Sequence, residues 1–173
     1  MRLNIELPLL LSVALVGCAP IGASAPAAMP AASEARQSAS TGDIQLFTSA
    51  YLDSAAMRLA QASPPARILG DRGGYSYLLI HRTSPGEVEV HASWDDVFVV
   101  RAGGATLLTG STTEGGRDTA PGERRGGHIP KPQRRALRAG DVVEIPAGLA
   151  HQVVPDAGEH VTYLVVKAMA RAR

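Results

Sequence analysis

The pattern of apolar and polar positions divides the chain into three stretches of different texture. Residues 44–61 place Leu46, Phe47, Ala50, Tyr51, Leu52, Ala55, Met57 and Leu59 at helical spacing, with Asp53 and Arg58 between them. Apolar side chains recurring every three to four residues line one face of a helix, so an amphipathic helix is predicted here. Asp43 is the candidate N-cap, and Ser63-Pro64-Pro65 is the stop. Beyond it the period shortens. Runs at 67–70, 75–82, 87–91, 97–101, 105–109, 141–145, 151–154 and 161–167 are rich in Val, Ile, Leu, Tyr and Thr, separated by Gly, Pro or Asp. Short strands with turn punctuation and no helix between them predict a mainly β sandwich or barrel. The stretch 112–138 interrupts the series. Seven cations (Arg117, Arg124, Arg125, Lys131, Arg134, Arg135, Arg138) face three anions (Glu114, Asp118, Glu123) in a Gly/Pro-rich sequence. It reads as a long solvated loop, or as a rim that attracts anionic ligands.

The N-terminal stretch has a third texture. Residues 7–16 are apolar apart from Pro8 and Ser12, after Arg2 and Glu6. Ten helical residues rise about 15 Å, half of a hydrocarbon core. The segment is therefore too short to span and has the length of a signal-peptide h-region. It ends in Leu15-Val16-Gly17-Cys18. This resembles the lipobox of bacterial lipoproteins. The resemblance implies that 1–17 are a lipoprotein signal peptide and that Cys18, acylated, becomes the new N-terminus. The alternative is an ordinary signal peptide cleaved near Ala23 or Ala25. Ala19 rather than Asp follows Cys18, which by resemblance to enterobacterial lipoproteins implies the periplasmic face of the outer membrane, within the cell envelope. Residues 18–42 are rich in Ala, Pro and Ser and hold little aliphatic bulk, so a disordered tether is expected there. Residues 43–173 are left for a single domain, its barrel at about 67–168.

Composition changes this picture in two ways. Hydrophobic residues make up 45% of the 173 residues and charged ones 19%, enough apolar material for a packed core. A net charge of +1 lacks the strongly basic balance of a nucleic-acid binder. One cysteine excludes an intramolecular disulfide.

Two segments carry candidate chemistry. Residues 140–151 read Gly140, five residues, Pro146, one, Gly148, two, His151. This resembles the second signature of the cupin superfamily, complete through its His. The first signature has two His separated by one residue, then Glu, then Gly after six more. Here Glu89 stands for the first His, His91 for the second, Asp96 for Glu, and Gly103 closes the spacing. Pro155 stands where the second signature ends in Asn. The resemblance covers roughly 75–167 and implies a cupin-like jelly-roll β-barrel with one N-terminal α-helix. It further implies that Glu89, His91, Asp96 and His151 converge on a divalent metal, Mn, Fe, Zn or Ni. Alternation along strands places Glu89 with His91, and Asp96 with Phe98 and Val100, on shared faces, and points Asp95 away. Two imidazoles and one or two carboxylates suit such ions. The competing reading is a metal-free polar interior in which the histidines only hydrogen-bond.

Trp94, Phe98 and Tyr163 are candidate ligand-lining residues, with packing of Trp94 against the helix as its alternative. Tyr163, Val165 and Lys167 share a face, where Lys167 is expected to snorkel to water. His81, His128 and His160 fit no ligand spacing and are expected at the solvent or in loops. Three functions remain open: a metal-dependent enzyme such as an oxygenase or isomerase, a metal-free binder of small molecules or carbohydrates in the envelope, and a structural lipoprotein. The expected partners are a small-molecule ligand, the membrane through Cys18, and a second copy in a homodimer.

Overall fold

A computed structural model describes residues 44–171; Cys18, the signal-like segment, the tether and Asp43 lie outside them. The helix α1 (Ser49–Leu59) begins later than the periodicity suggested. Thr48 is its N-cap, and the Thr48 side chain accepts a hydrogen bond from the Tyr51 N–H at 3.2 Å, which satisfies one of the first-turn donors. The preceding Ile44 and Leu46 are exposed. Leu52, Ala55 and Leu59 form the buried stripe of the helix and close over Leu79. Leu79 is fully buried, a burial worth about 1.5–3 kcal/mol for such a side chain.

Ten strands follow: β1 (Ala66–Asp71), β2 (Tyr75–Arg82), β3 (Glu89–His91), β4 (Trp94–Gly110), β5 (Arg117–Ala120), β6 (Glu123–Arg125), β7 (Gln133–Arg138), β8 (Val142–Ile145), β9 (Ala150–Pro155) and β10 (Val161–Met169). All pairs are antiparallel. The order runs β1-β2-β10-β4-β9-β3-β6-β5, with β7 and β8 also paired to β4. The architecture is mainly β, a sheet curled into a jelly-roll-like half-barrel, with one helix on its outside.

Two expectations are corrected. The runs 97–101 and 105–109 form one strand, β4, that serves both walls of the barrel. Its first part pairs with β10 and β8, and its last part with β7 and β9. The bend between the parts lies at Gly103, whose φ is +73°. A Cβ there would stand 1.8 Å from the His160 carbonyl oxygen, so the closing glycine of the first motif is sterically required. Second, the stretch 112–138 is not a single irregular loop. It contains β5 and β6, paired with each other and through β6 with β3, and β7, paired with the last part of β4; ion pairs of Arg117 with Glu87 and Arg124 with Asp118, at 2.8 and 2.7 Å, accompany them. The barrel interior is filled by Phe98, Val100, Ala105, Leu107, Leu137, Ile145, Val153, Val161, Tyr163 and Val165. A smaller cluster of Val88, Ile129 and Ala150 supports β3 and β9.

Candidate metal and ligand site

The site is assembled by strand register. Glu89 on β3 lies opposite Arg125 of β6 on one side and His151 of β9 on the other. His91 lies opposite Glu123, and Asp96 on β4 opposite Lys167 on β10. Directly opposed residues bring their Cβ atoms within contact range, so these pairings deliver the polar groups to one place. The turn before β9 is fastened to β3 by the Gly148 N–H, which donates to the His91 carbonyl at 2.8 Å; Gly148 has φ +83°. The Asp95 side chain accepts from the Ala147 N–H at 2.7 Å and so ties the same turn to β4.

Glu89, His91, Asp96, Arg125 and His151 line a cavity of about 560 Å³ together with Arg82, Phe98, Tyr163 and Lys167. One atom each of Glu89, His91 and His151 lie within 4.8 Å of one another. Asp96 Oδ2 stands 3.4 Å from His91 Nε2 and 3.6 Å from His151 Nε2. Glu89 Oε2 is 3.4 Å from the same His91 nitrogen. Four of the sequence-selected residues thus face one another, and Phe98 and Tyr163 line the same cavity. Trp94 does not. It opens β4 opposite Met169 and is not among the lining residues.

The two histidines differ in charge. His91 Nδ1 is 2.5 Å from Glu123 Oε2 and donates to it. Burial opposes protonation of this ring, but Asp96 and Glu89 outweigh it and raise the pKa to about 9. The Nε2 proton then sits between the two carboxylates. Glu89 is held ionised, down to about 2, against its burial by His91 and Arg125. Asp96 is likewise lowered against its burial, by His91 and Lys167. His151 behaves oppositely: burial lowers its pKa. Its Nδ1 lies 3.2 Å from the Leu149 carbonyl, an acceptor only, so Nδ1 carries the proton. Nε2 is then a bare lone pair, buried with no hydrogen-bond partner. A lone pair facing a carboxylate oxygen at 3.6 Å lacks a cation between them.

Both carboxylates are split in function. Glu89 Oε1 takes Arg125 Nη1 at 2.5 Å and lies 3.7 Å from Arg82 Nη2, while Oε2 faces His91. Asp96 Oδ1 takes Lys167 Nζ at 3.3 Å, while Oδ2 faces the imidazoles. Lys167 therefore turns inward, not to water as expected, because its register partner is a buried carboxylate. Arg82 Nε donates to the Tyr163 hydroxyl at 3.0 Å. Arg82, Glu123 and Arg125 were not singled out as site residues in the sequence. The last two sit on a three-residue strand of consecutive charged residues, which carries no apolar alternation to mark an inward face. Among the other histidines, His81 is half-buried on β2, bonded to Thr162 at 2.8 Å and stacked on His160. His128 is exposed and pairs with Glu114.

No protein-family model and no curated protein matches the chain. Solved structures do. A protein from Bacillus halodurans is similar at 14% identity, over 77% of this chain and 87% of its own, with a TM-score of 0.52. An uncharacterized conserved protein with a double-stranded β-helix domain from Klebsiella pneumoniae is similar at 15% identity, over 76% and 95%, with a TM-score of 0.50. A cupin-2 domain containing protein from Shewanella frigidimarina shares 21% identity over 60% of this chain and 78% of its own, with a TM-score of 0.40. At such identities the likeness speaks for the fold alone. The fold is the double-stranded β-helix that the cupin resemblance implied, with a cluster of Glu and His suited to a metal ion.

Proposed function

We propose that the protein is a membrane-anchored cupin-type lipoprotein of the cell envelope that holds a divalent metal and a small ligand in its barrel. One observation carries the metal reading: the buried, unpartnered Nε2 of His151, aimed at a carboxylate oxygen. His91, His151 and Glu89 would hold the ion, with Asp96 as the fourth candidate. Glu123 on His91 Nδ1 is the outer carboxylate that orients a metal-binding imidazole and raises its basicity. A bound Mn, Fe, Zn or Ni ion would supply Lewis-acid polarisation of a ligand oxygen. The residues themselves exclude water from the imidazoles, hold Glu89 and Asp96 ionised, and keep the His151 proton on Nδ1.

A second reading is favoured by the three internal cations. Arg82, Arg125 and Lys167 neutralise Glu89 and Asp96 without any metal, which suits a metal-free, non-catalytic binding protein. The two readings separate in a thermal melt of the purified full chain with each metal, accompanied by metal analysis. Free metal at 100 times its dissociation constant should stabilise the fold by roughly 2.7 kcal/mol. His151→Leu should abolish that rise. No rise with any metal, or an equal rise in the variant, leaves the metal-free binder. The anchor is tested apart from the barrel: Cys18→Ser should leave the membrane fraction or stall in processing, and unchanged membrane association would overturn the lipoprotein reading.

A further inference from the structure

The cations of the cavity exceed what its carboxylates need. Arg82, Arg125 and Lys167 line it against Glu89 and Asp96; Glu87 lines it too, but is exposed and already paired with Arg117. The positive groups are also concentrated. Arg82 and Arg125 converge on a single oxygen of Glu89, at 3.7 and 2.5 Å. Two guanidiniums carry ten N–H donors, and one carboxylate oxygen uses a small part of them. The Tyr163 hydroxyl accepts from Arg82 and donates to no acceptor among the described residues. The lining also includes the apolar side chains of Ile68, Leu78, Ile80, Phe98, Val153 and Val165.

We infer that the cavity takes a small organic oxyanion, a carboxylate on an apolar body, and that Arg82 and Arg125 form its seat, with the Tyr163 hydroxyl as a further donor. Glu89 Oε1 occupies that seat in this structure, and a ligand carboxylate would share or replace it. Planar guanidiniums suit such a head group because their parallel N–H pairs match the two oxygens of a carboxylate. A cationic ligand would meet three like charges, and a neutral one would leave the donors unmatched. The apolar part of the lining takes the body of the ligand, as in most small-molecule cavities of this size. The inference rests on the reading of this cavity as the ligand site, but not on the metal.

The test is calorimetric titration of the purified full chain with hexanoate, hexanamide and hexylamine, each with and without EDTA. Hexanoate should bind at least tenfold tighter than hexanamide in both conditions, and hexylamine should bind weakest. In the double variant Arg82→Met, Arg125→Met, hexanoate affinity should fall to that of hexanamide, while hexanamide affinity stays within twofold and so reports an intact cavity. The single variant Arg82→Lys, which keeps the charge but loses the planar N–H pair, should retain only part of the preference. Equal affinities in the native protein would overturn the proposal, as would a preference that survives the double variant. A preference that EDTA abolishes would also overturn it and assign the anion to the metal. A preference in a protein with no bound metal would leave the seat standing while the metal reading falls.

Discussion

The two ends of the barrel interior are built from the same strands and by opposite rules. At one end Val100, Ala105, Leu107, Leu137 and Val161 pack on one another, each buried to within a few per cent. At the other, Glu89, His91, Asp96, His151 and Lys167 crowd a cavity of about 560 Å³. β4 contributes to both, with Asp96 and Phe98 toward the site and Ala105 and Leu107 in the packed end. The packed end gains free energy from every methylene removed from water. The polar end spends some of that gain, because it keeps charges out of solvent and leaves His151 Nε2 without a partner. The difference teaches which end makes the fold and which end uses it.

The largest expected effect contrasts the two ends directly. Leu107, 1% exposed, has no room to relax, so Leu107→Ala should cost about 2–5 kcal/mol through lost transfer energy and a cavity. His151→Leu, of similar size, removes a buried acceptor that nothing satisfies and forfeits only the 3.2 Å bond to Leu149. In metal-free protein it should raise stability by about 1 kcal/mol, since an unmet polar group costs more than a weak hydrogen bond returns. Urea denaturation of both variants in EDTA reads the two signs. A destabilised His151→Leu would mean that the histidine is a structural member of the core.

The packed end and the site end were also unequally legible in the sequence. Val and Leu at alternate positions declare a strand and its inward face, so most barrel strands lie where their apolar runs are. The bend at Gly103 was visible only as a motif glycine; that it joins two walls through a single strand depends on the His160 carbonyl, 57 positions away. At the site, Glu89, His91, Asp96 and His151 were marked by the resemblance to the two cupin signatures. Their partners were not. Arg125 and Glu123 face the site because β6 pairs with β3, and nothing in a Glu-Arg-Arg run says which charge turns inward. Lys167 looked like a strand-end lysine bound for water until its register placed it opposite Asp96. Pairing across strands, not position along them, decides these contacts, and it is the part of a β fold that single-sequence periodicity does not encode. Asp43, Cys18 and the segments before residue 44 lie outside the described residues.

The remaining expected effect is a pH profile, and its shape separates the site end from the packed end, which does not titrate. In metal-free protein His91 has a folded pKa of about 9, above its ordinary 6.5. Its contribution to stability is complete below pH 6.5 and is lost as pH rises through 9. His151 is shifted the other way by burial, so the unfolded chain takes up a proton that the folded ring refuses, and stability falls as pH drops below 6.5. Glu89, held near 2, adds a further loss between about pH 4.5 and 2. The melting temperature of metal-free protein should therefore peak near pH 6.5 and decline on both sides. Metal inverts the alkaline limb. An ion on His91 Nε2 must displace the proton held there by Glu89 and Asp96, so binding tightens as pH rises, and the metal-induced gain in melting temperature should grow from pH 6.5 to 9. A gain independent of pH across that range would place the ion elsewhere than on His91. A metal-free melting temperature that is flat from 6.5 to 9 would show that the His91 proton is not held by its two carboxylates.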